Sequence, residues 1–329
     1  MAEVVTLGEA MLRLSPRLYH RLEQADSFEA KIGGGELNVA VGVSRLGLSS
    51  AWVSKLPKNA IGRMVRNKAR EQGVDTSQIV WSDSGRVGIY FLEFGATPRA
   101  SSVLYDRAGS AVSTLAPGEV DWKSALADCK LFHTSGITPA LGKSCAEAAA
   151  EALKAAKSAG CLVSFDVNYR AKLWTEEQAN KCLVPMMEHV DILITTEEDT
   201  GRVFGVREAD YQTVAKKLHE RFGFKVVAIT LREDLSALKN NWSAFALSEG
   251  KLYDGPTYPV EIIDRVGAGD AFSAGFIYGY LTGAGDVDRG VKYGVAHSAL
   301  KHSIPGDLNW ATLQEVEALL KGGGLRIER

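Results

Sequence analysis

The chain of 329 residues is poor in cysteine and has no long apolar run, and each shortage excludes a class of protein. Its four cysteines form no CxxC pair, which predicts free thiols in a reducing compartment rather than a disulfide framework. No stretch approaches the roughly 18 apolar residues of a membrane-spanning helix, and the N-terminus has no basic leader. We therefore expect a soluble, cytoplasmic protein without a membrane partner.

The chain also lacks an excess of either charge and any familiar metal or dinucleotide motif. With 38 Lys and Arg against 40 Asp and Glu, the net charge is −2, so we expect no nucleic-acid partner. The six histidines form neither an HExxH motif nor a Cys/His cluster, so we expect no metal held directly by protein side chains. No GxGxxG follows the first apolar run, which disfavours a dinucleotide-binding fold.

What the chain does have is a regular alternation of short apolar runs and helical patterns. The apolar runs predict strands at residues 4–7, 51–54, 131–133, 162–165, 190–194 and 226–230. The helical patterns predict helices at residues 36–46, 61–72, 146–158, 209–222 and 271–281. Strands alternating with helices predict an α/β fold with a mainly parallel sheet that is covered on both faces.

Two stretches interrupt this alternation. Residues 11–32 contain no helical pattern, and residues 86–94 and 101–106 read as two strands joined by a loop. Side chains alternate between apolar and small or polar along the first of these strands, as in a partly exposed sheet. We predict a small β excursion from the α/β core.

The most informative segment is residues 261–272, where an apolar strand end runs into Gly267, Ala268 and Gly269, then Asp270, then a helix. Glycines let the chain bend tightly, and the free N–H groups at a helix N-terminus bind anions, most often phosphate. Asp270 alone could simply cap the helix. Beside a phosphate pocket it could instead accept a proton from an attacking hydroxyl.

Residues 136–144 look like a second phosphate loop, but their spacing is wrong. Five residues separate Gly136 from Gly142, whereas a P-loop requires four. Pro139 also removes one of the backbone N–H groups that would bind a phosphate. We therefore expect no P-loop here.

Two motifs together resemble a known family. The segment Asp-Arg-Val-Gly-Ala-Gly-Asp at 264–270 resembles the C-terminal signature of the ribokinase-like (phosphofructokinase B type) carbohydrate kinases, and Gly-Gly-Gly-Glu-Leu-Asn-Val-Ala at 33–40 resembles their N-terminal one. The motifs stand in the family's order and separation. The resemblance implies one kinase domain over residues 1–329, a three-layer α/β sandwich whose small β-sheet lid comes from segments at about 12–33 and 86–108.

The resemblance also implies which residues form the site. Asp270 would be the general base, with Gly267, Ala268 and Gly269 as the anion hole. Several further segments are similar to the 2-keto-3-deoxygluconate kinases of the family. The residues implied to face the sugar acid are Gly34, Gly35, Asn38, Tyr90, Tyr105, Arg107 and Arg170. Arginine suits a carboxylate substrate because its guanidinium is planar and permanently charged. Arg13 stands where fructokinases and ribokinases usually have an Asp.

On the nucleotide side the chain departs from the family pattern. The residues implied to border ATP are Thr196, Asp199, Thr230, Arg232, Asp264 and Ser298. Thr196 and Asp199 replace the Asn and Glu of the family's Asn-x-x-Glu segment, and both glycines that usually follow Thr230 are missing. We therefore expect a differently shaped nucleotide loop. Mg²⁺ would be held through phosphates and water.

The resemblance implies ATP-dependent phosphorylation of 2-keto-3-deoxygluconate to 2-keto-3-deoxy-6-phosphogluconate. Two alternatives stay open from the sequence: another sugar kinase of the same fold, such as a fructokinase-like enzyme, and a non-catalytic sugar-acid sensor that has lost turnover. Because lids of this family often pair between subunits, we also expect a homo-oligomer formed through the lid.

Overall fold

The computed structural model of the protein describes residues 2–323. The strands are β1 Val4–Leu7, β2 Met11–Ser15, β3 Glu29–Gly33, β4 Ser50–Val53, β5 Lys55–Pro57, β6 Val80–Ser82, β7 Gly88–Glu93, β8 Ser102–Asp106, β9 Leu131–Ser135, β10 Leu162–Asp166, β11 Ile192–Thr196, β12 Val226–Ser236, β13 Lys239–Ser248, β14 Lys251–Asp254 and β15 Tyr258–Glu261. The α-helices are α1 Gly35–Arg45, α2 Ala60–Glu71, α3 Trp122–Ala125, α4 Ile137–Ala140, α5 Lys143–Ser158, α6 Glu176–Met186, α7 Glu197–Phe204, α8 Tyr211–Phe222, α9 Ala268–Thr282, α10 Val287–His302 and α11 Leu313–Leu320.

The large sheet has the strand order β14-β13-β12-β11-β10-β9-β1-β4, with β15 paired to β13. From β4 to β12 every neighbouring pair is parallel, and the strands beyond β12 are antiparallel. Parallel strands need crossover connections, and here helices supply most of them. The predicted α/β fold with a mainly parallel sheet is confirmed.

Alternate residues of each strand feed two separate cores, one on each face of this sheet. Val4 and Val226 point into the layer built with α1, α9 and α10. Their neighbours Val5 and Val227 point into the layer built with α5, α6 and α8. Successive strand residues face opposite sides, so apolar runs without polar alternation are what a doubly covered sheet requires. The result is a three-layer sandwich.

A smaller sheet stands apart from the large one, in the order β3-β2-β7-β8. Strands β2 and β7 are parallel, and the other two pairs are antiparallel. All four strands come from the two stretches that interrupt the helical rhythm of the sequence. Met11, Tyr90 and Leu92 pack with Val266, so this sheet contacts the segment that precedes α9.

Most predicted elements are confirmed with ends displaced by a few residues, and two outcomes matter for function. The predicted strand 226–230 continues to Ser236 because β12 forms a long hairpin with β13. Residues 136–144 form the short helix α4 and the start of α5, with the Lys143 side chain 92% exposed, so this segment makes no P-loop. Among the helices of residues 2–323, none combines the length and apolarity that crossing a membrane requires.

Candidate active site

A cleft with a cavity volume of about 370 Å³ lies where strands of the large sheet end. Asp166 closes β10, Thr196 closes β11, and Thr230 lies opposite Thr196 in the register of β12. Ligands of open parallel sheets bind at such carboxyl ends. The small sheet contributes one wall of the cleft, through Met11, Gly33, Tyr90, Val103 and Tyr105.

The glycine turn before α9 forms an anion-binding corner of this cleft. Gly267 has φ 85°, and a Cβ there would lie 2.1 Å from the Asp307 carbonyl oxygen, so the position requires glycine. The N–H groups of Gly267, Gly269 and Asp270 form no hydrogen bond with any other described residue. Gly269 faces open space. Free N–H groups and the positive end of a 15-residue helix favour a phosphate here.

Asp270 sits in the first turn of α9, at the floor of the cleft. One carboxylate oxygen accepts a hydrogen bond from Asn38 Nδ2 at 2.7 Å. Removal from solvent raises the pKa of Asp270 to about 6, although the Asn38 hydrogen bond and the positive charge of Arg170 oppose the rise. A carboxyl group with this pKa is ionised at neutral pH and remains a better proton acceptor than an ordinary aspartate.

The N-terminus of α1 lies directly beside Asp270. A Cβ on Gly34 would lie 2.0 Å from the Glu9 carbonyl oxygen, and one on Gly35 would lie 3.4 Å from Asp270 Oδ1. Asn38, one helical turn later, accepts a hydrogen bond from the Gly34 N–H at 3.3 Å and donates to Asp270. The two sequence signatures therefore meet at one point, and the glycines are needed for close backbone approach.

The small-sheet wall brings Tyr90, Tyr105 and Arg107 to the cleft, as the sequence predicts. Two of these groups already have protein partners. The Tyr90 hydroxyl donates to Asp307, and Arg107 forms an ion pair with buried Glu9. The Arg107 guanidinium also lies 5.5 Å from the centre of the half-exposed Tyr105 ring, close enough for a cation–π interaction.

Arg170 differs from Arg107 because it forms no ion pair within residues 2–323. Its side chain is exposed and lines the cleft and the adjoining pocket of about 780 Å³. Burial raises the pKa of both Asp166 and Asp199, and the Arg170 charge opposes that rise in each case. Arg170 is thus a cation facing an acidic cleft floor and available to an anionic ligand.

Two predicted roles need revision in the light of where the side chains lie. Asp264 and Ser298 do not line the cleft: Asp264 is 1% exposed and binds Arg13, whereas the Ser298 hydroxyl donates to the Ala268 carbonyl oxygen at 2.6 Å. Both side chains are buried and support the turn: Asp264 accepts from the Val266 N–H, and Ser298 donates to the Ala268 carbonyl oxygen. Arg13 is itself enclosed, with hydrogen bonds to Asp264 at 2.7 Å and Asp307 at 3.0 Å, and is not free to grip a substrate.

The four residues Thr196, Asp199, Thr230 and Arg232, which the family resemblance implies to border ATP, all line the cleft. The Thr196 hydroxyl caps α7 by accepting from the Asp199 N–H at 3.2 Å, and Asp199 accepts from the Tyr169 N–H, also at 3.2 Å. In place of a glycine loop, the chain after Thr230 continues as the β12–β13 hairpin, which explains why the usual glycines are absent.

Sequence reasoning missed Asp166 and Asp307 as members of this site. Asp307 bonds both Arg13 and Tyr90 and lies against Gly33 and Gly267. Its only sequence signal is a position in Pro-Gly-Asp after the last long helix, which does not reveal its partners. Among the residues that the structure describes, no group of three or more His, Cys, Asp or Glu side chains is arranged to hold a metal ion.

Comparison with known proteins identifies the family. The sequence model of the pfkB family carbohydrate kinases matches residues 1–309. The chain belongs to this family of carbohydrate kinases. A 2-dehydro-3-deoxygalactonokinase of Haloferax volcanii is 40% identical over 328 residues, covering 100% of this chain and 99% of the relative. The family predicted from the two signatures is confirmed.

Two further comparisons concern the subgroup of this carbohydrate kinase. The crystal structure of a 2-dehydro-3-deoxygluconokinase from Thermotoga maritima superposes with a TM-score of 0.94 at 43% identity, covering 98% of this chain and 100% of that one. A 5-dehydro-2-deoxygluconokinase of Shouchella clausii is 31% identical over 327 residues, covering 97% of this chain and 95% of the relative. These relatives are named as kinases of dehydro-deoxy sugar acids, and their similarity supports a related sugar-acid kinase activity here.

Proposed function

We propose that this kinase transfers the γ-phosphoryl group of ATP to the 6-hydroxyl of 2-keto-3-deoxygluconate, which is also called 2-dehydro-3-deoxygluconate. One observation carries the proposal: Asp270, with its raised pKa, shares a single cleft with the unbonded N–H groups of the glycine turn and with the unpaired Arg170. Phosphorylation of a sugar acid needs a base for the hydroxyl proton, an anion-binding corner for the phosphoryl group and a cation for the substrate carboxylate.

The chemistry follows from these positions. Asp270 accepts the proton of the substrate hydroxyl while the oxygen of that hydroxyl forms a bond to the γ-phosphorus of ATP. The bond between the γ-phosphorus and the ADP oxygen breaks in the same step. The N–H groups of the turn donate to the transferring phosphoryl oxygens and stabilise the negative charge there. Bound Mg²⁺ would neutralise charge on the phosphates. Asp166 and Asp199, which both line the cleft, would hold its water ligands.

We propose that Arg170 binds the substrate carboxylate, with Tyr105 beside it. Arg170 is the stronger candidate than Arg107, because the charge of Arg107 is already matched by Glu9. The exposed position of Arg170 lets it move toward an incoming acid. The small sheet, which supplies Tyr90 and Tyr105, would act as a lid over the sugar and as the surface through which copies of the chain pair.

A coupled ADP-release assay tests this function with a panel of acceptors. We expect 2-keto-3-deoxygluconate and its galactonate epimer to have the highest kcat/KM, above 5-dehydro-2-deoxygluconate, gluconate, fructose and ribose. Mass spectrometry of the product should show one added phosphate. Higher kcat/KM for fructose or ribose would replace the sugar-acid assignment by a neutral-sugar kinase. Binding of a sugar acid without ADP release would identify a sensor.

A further inference from the structure

Lys301 is a buried cation that the chemistry above does not use. It lies on α10 with no exposed surface, and its Nζ donates to two backbone carbonyl oxygens, that of Asp264 at 3.2 Å and that of Ile304 at 2.9 Å. It contacts no carboxylate within 4.0 Å anywhere in residues 2–323. Burying an ammonium group without a contacting counter-ion costs free energy, so a stability role alone is a poor reason to place one here.

The position of Lys301 relates it to the phosphate corner. Asp264 begins the turn that ends at Asp270, and α10 holds this turn at two places. Lys301 binds the Asp264 carbonyl at the start of the turn, and Ser298, one helical turn earlier, binds the Ala268 carbonyl at 2.6 Å near its end. The ammonium group therefore helps to fix the backbone whose N–H groups point into the cleft.

The charge of Lys301 acts on the same groups. Burial lowers its pKa to about 8, and the carboxylates of Asp264, Asp307 and Asp270 oppose that decrease. The amine is consequently mostly protonated at neutral pH. The other buried cation nearby, Arg13, contacts the two carboxylates of Asp264 and Asp307, so these three groups together carry a net charge of −1. Lys301 supplies the second positive charge that balances it, and without Lys301 the turn would lie beside an excess negative charge that opposes a phosphoryl group. In a site of low dielectric such a charge acts over several ångströms.

We propose that the Lys301 ammonium is a positioning residue for phosphoryl transfer, a built-in cation that fixes the Asp264–Asp270 turn and favours negative charge at its N–H groups. This inference rests on the proposed function, since the ligand is the transferring phosphoryl group of a nucleoside triphosphate. Lys301 touches neither substrate and acts through the backbone of Asp264 and through its field.

The test is chemical rescue. Lys301→Ala removes the ammonium and leaves a space next to the Asp264 and Ile304 carbonyl oxygens, which a small alkylammonium ion could fill. Lys301→Met keeps the length of the side chain without its charge. We expect either change to lower kcat roughly 10- to 100-fold, less than the loss of a direct oxyanion donor, with a smaller change in the KM of the sugar acid. Added methylammonium should restore at least part of the kcat of Lys301→Ala, and of that variant only.

Lys292→Ala is the matched control, because Lys292 is an exposed lysine on the same helix whose partner is Asp288. Its kcat should equal that of the wild type with or without methylammonium. Sugar-independent ATP hydrolysis is measured in parallel for all variants, since it does not depend on the identity of the acceptor. If the wild type hydrolyses ATP but phosphorylates no sugar acid, the proposed function fails while the Lys301 effect can still be read.

Three outcomes would overturn the inference. Unchanged kcat in folded Lys301→Met would show that the charge is irrelevant to turnover. Loss of kcat in Lys301→Ala without any response to methylammonium would indicate a role in packing. Failure of both variants to fold, judged by thermal unfolding, would make Lys301 a residue for stability alone.

Discussion

Asp264 and Asp270 stand at opposite ends of one glycine turn, yet the protein surrounds these two carboxylates in opposite ways. Asp264 is sealed, and its oxygens accept from Arg13, the Gly306 N–H at 2.8 Å and the Val266 N–H at 3.1 Å. Asp270 opens on the cleft and accepts only from Asn38 among the residues described. Saturation with donors makes the first carboxylate a structural group, and the shortage of donors makes the second one reactive.

This comparison predicts that the two carboxylates have opposite effects on the stability of the folded protein at neutral pH. The folded protein holds the pKa of Asp270 near 6, above the usual 3.8, so folding disfavours its charge at neutral pH. The Asp264 carboxylate instead forms an ion pair with the buried Arg13, which is stabilising. A reactive carboxylate costs stability where a structural carboxylate contributes it, and substitutions at the two positions can separate these effects.

The largest effect should come from Asp270→Asn. Asn keeps the shape and an oxygen that can accept from Asn38, but cannot take the hydroxyl proton, so kcat should fall roughly 10²- to 10⁴-fold. The same change should raise the free energy of unfolding at pH 7.5 by on the order of 1–2 kcal/mol, because it removes an unfavourable charge. Steady-state kinetics and urea unfolding give both values.

The sign of the stability effect can be checked with pH. A carboxyl group with a raised pKa in the folded state contributes its full stability below the unfolded pKa and loses it as the pH rises through the folded value. The advantage of Asp270→Asn over wild type should therefore shrink as the pH is lowered from 7 toward 4. Near-normal turnover, or a lower midpoint at pH 7.5, would contradict the role given to Asp270.

Asp264→Asn should lower the free energy of unfolding, whereas Asp270→Asn should raise it. The amide places a donor among the three donors that surround this position and leaves the Arg13 charge matched by Asp307 alone, so we expect a loss of about 3 kcal/mol in unfolding free energy. Ser273→Ala, a change in the buried part of α9, is a control for general loss of packing. If Asp264→Asn unfolds like the wild type, the idea of a sealed structural carboxylate is wrong.

The fold was predictable from the sequence because parallel strands that are buried on both faces need uninterrupted apolar runs, such as residues 226–230. That the glycine turn and Asp270 share one cleft with Gly35 and Asn38 was predictable only from the two family motifs together, because glycine and an acid at a helix start also fit an ordinary helix cap. The partners of Arg13 were not predictable: Asp264 and Asp307 lie 251 and 294 residues away in the chain. The sequence shows that a strand contains a charged residue, but only the tertiary structure shows whether that residue forms an ion pair.

Arg170→Ala tests whether an unpaired arginine recognises the acid. A charge-assisted hydrogen bond is worth about 1.5–3 kcal/mol, so KM for the sugar acid should rise roughly tenfold or more, with kcat less affected. Gluconate and the neutral alcohol glucitol, compared as competitive inhibitors, isolate the carboxylate: only gluconate should bind more weakly. Equal weakening of both inhibitors would remove Arg170 from carboxylate recognition.

Exposed Arg207, whose ion-pair partner is Glu176, provides the matched control, and Arg207→Ala should leave both inhibition constants unchanged. Arg107→Ala completes the comparison. It should lower the unfolding free energy, because the buried Glu9 loses its partner, whereas Arg170→Ala should not. Arg107 would then contribute mainly to stability and Arg170 mainly to substrate binding. Asp264 and Asp270 should differ in the same way, one in stability and the other in reactivity.

The smallest effect concerns the hydrogen bond from Asn38 to Asp270. If Asp270 is the base, activity should rise with pH through about 6, where its carboxyl group ionises. Asn38→Ala removes a donor that favours the carboxylate, so this acid limb of kcat/KM should move upward by roughly half to one pH unit. Buried Glu36 has a pKa raised to about 7 and could produce a similar limb. Glu36→Gln decides between them: a limb that persists in this variant belongs to Asp270, and a limb that disappears does not.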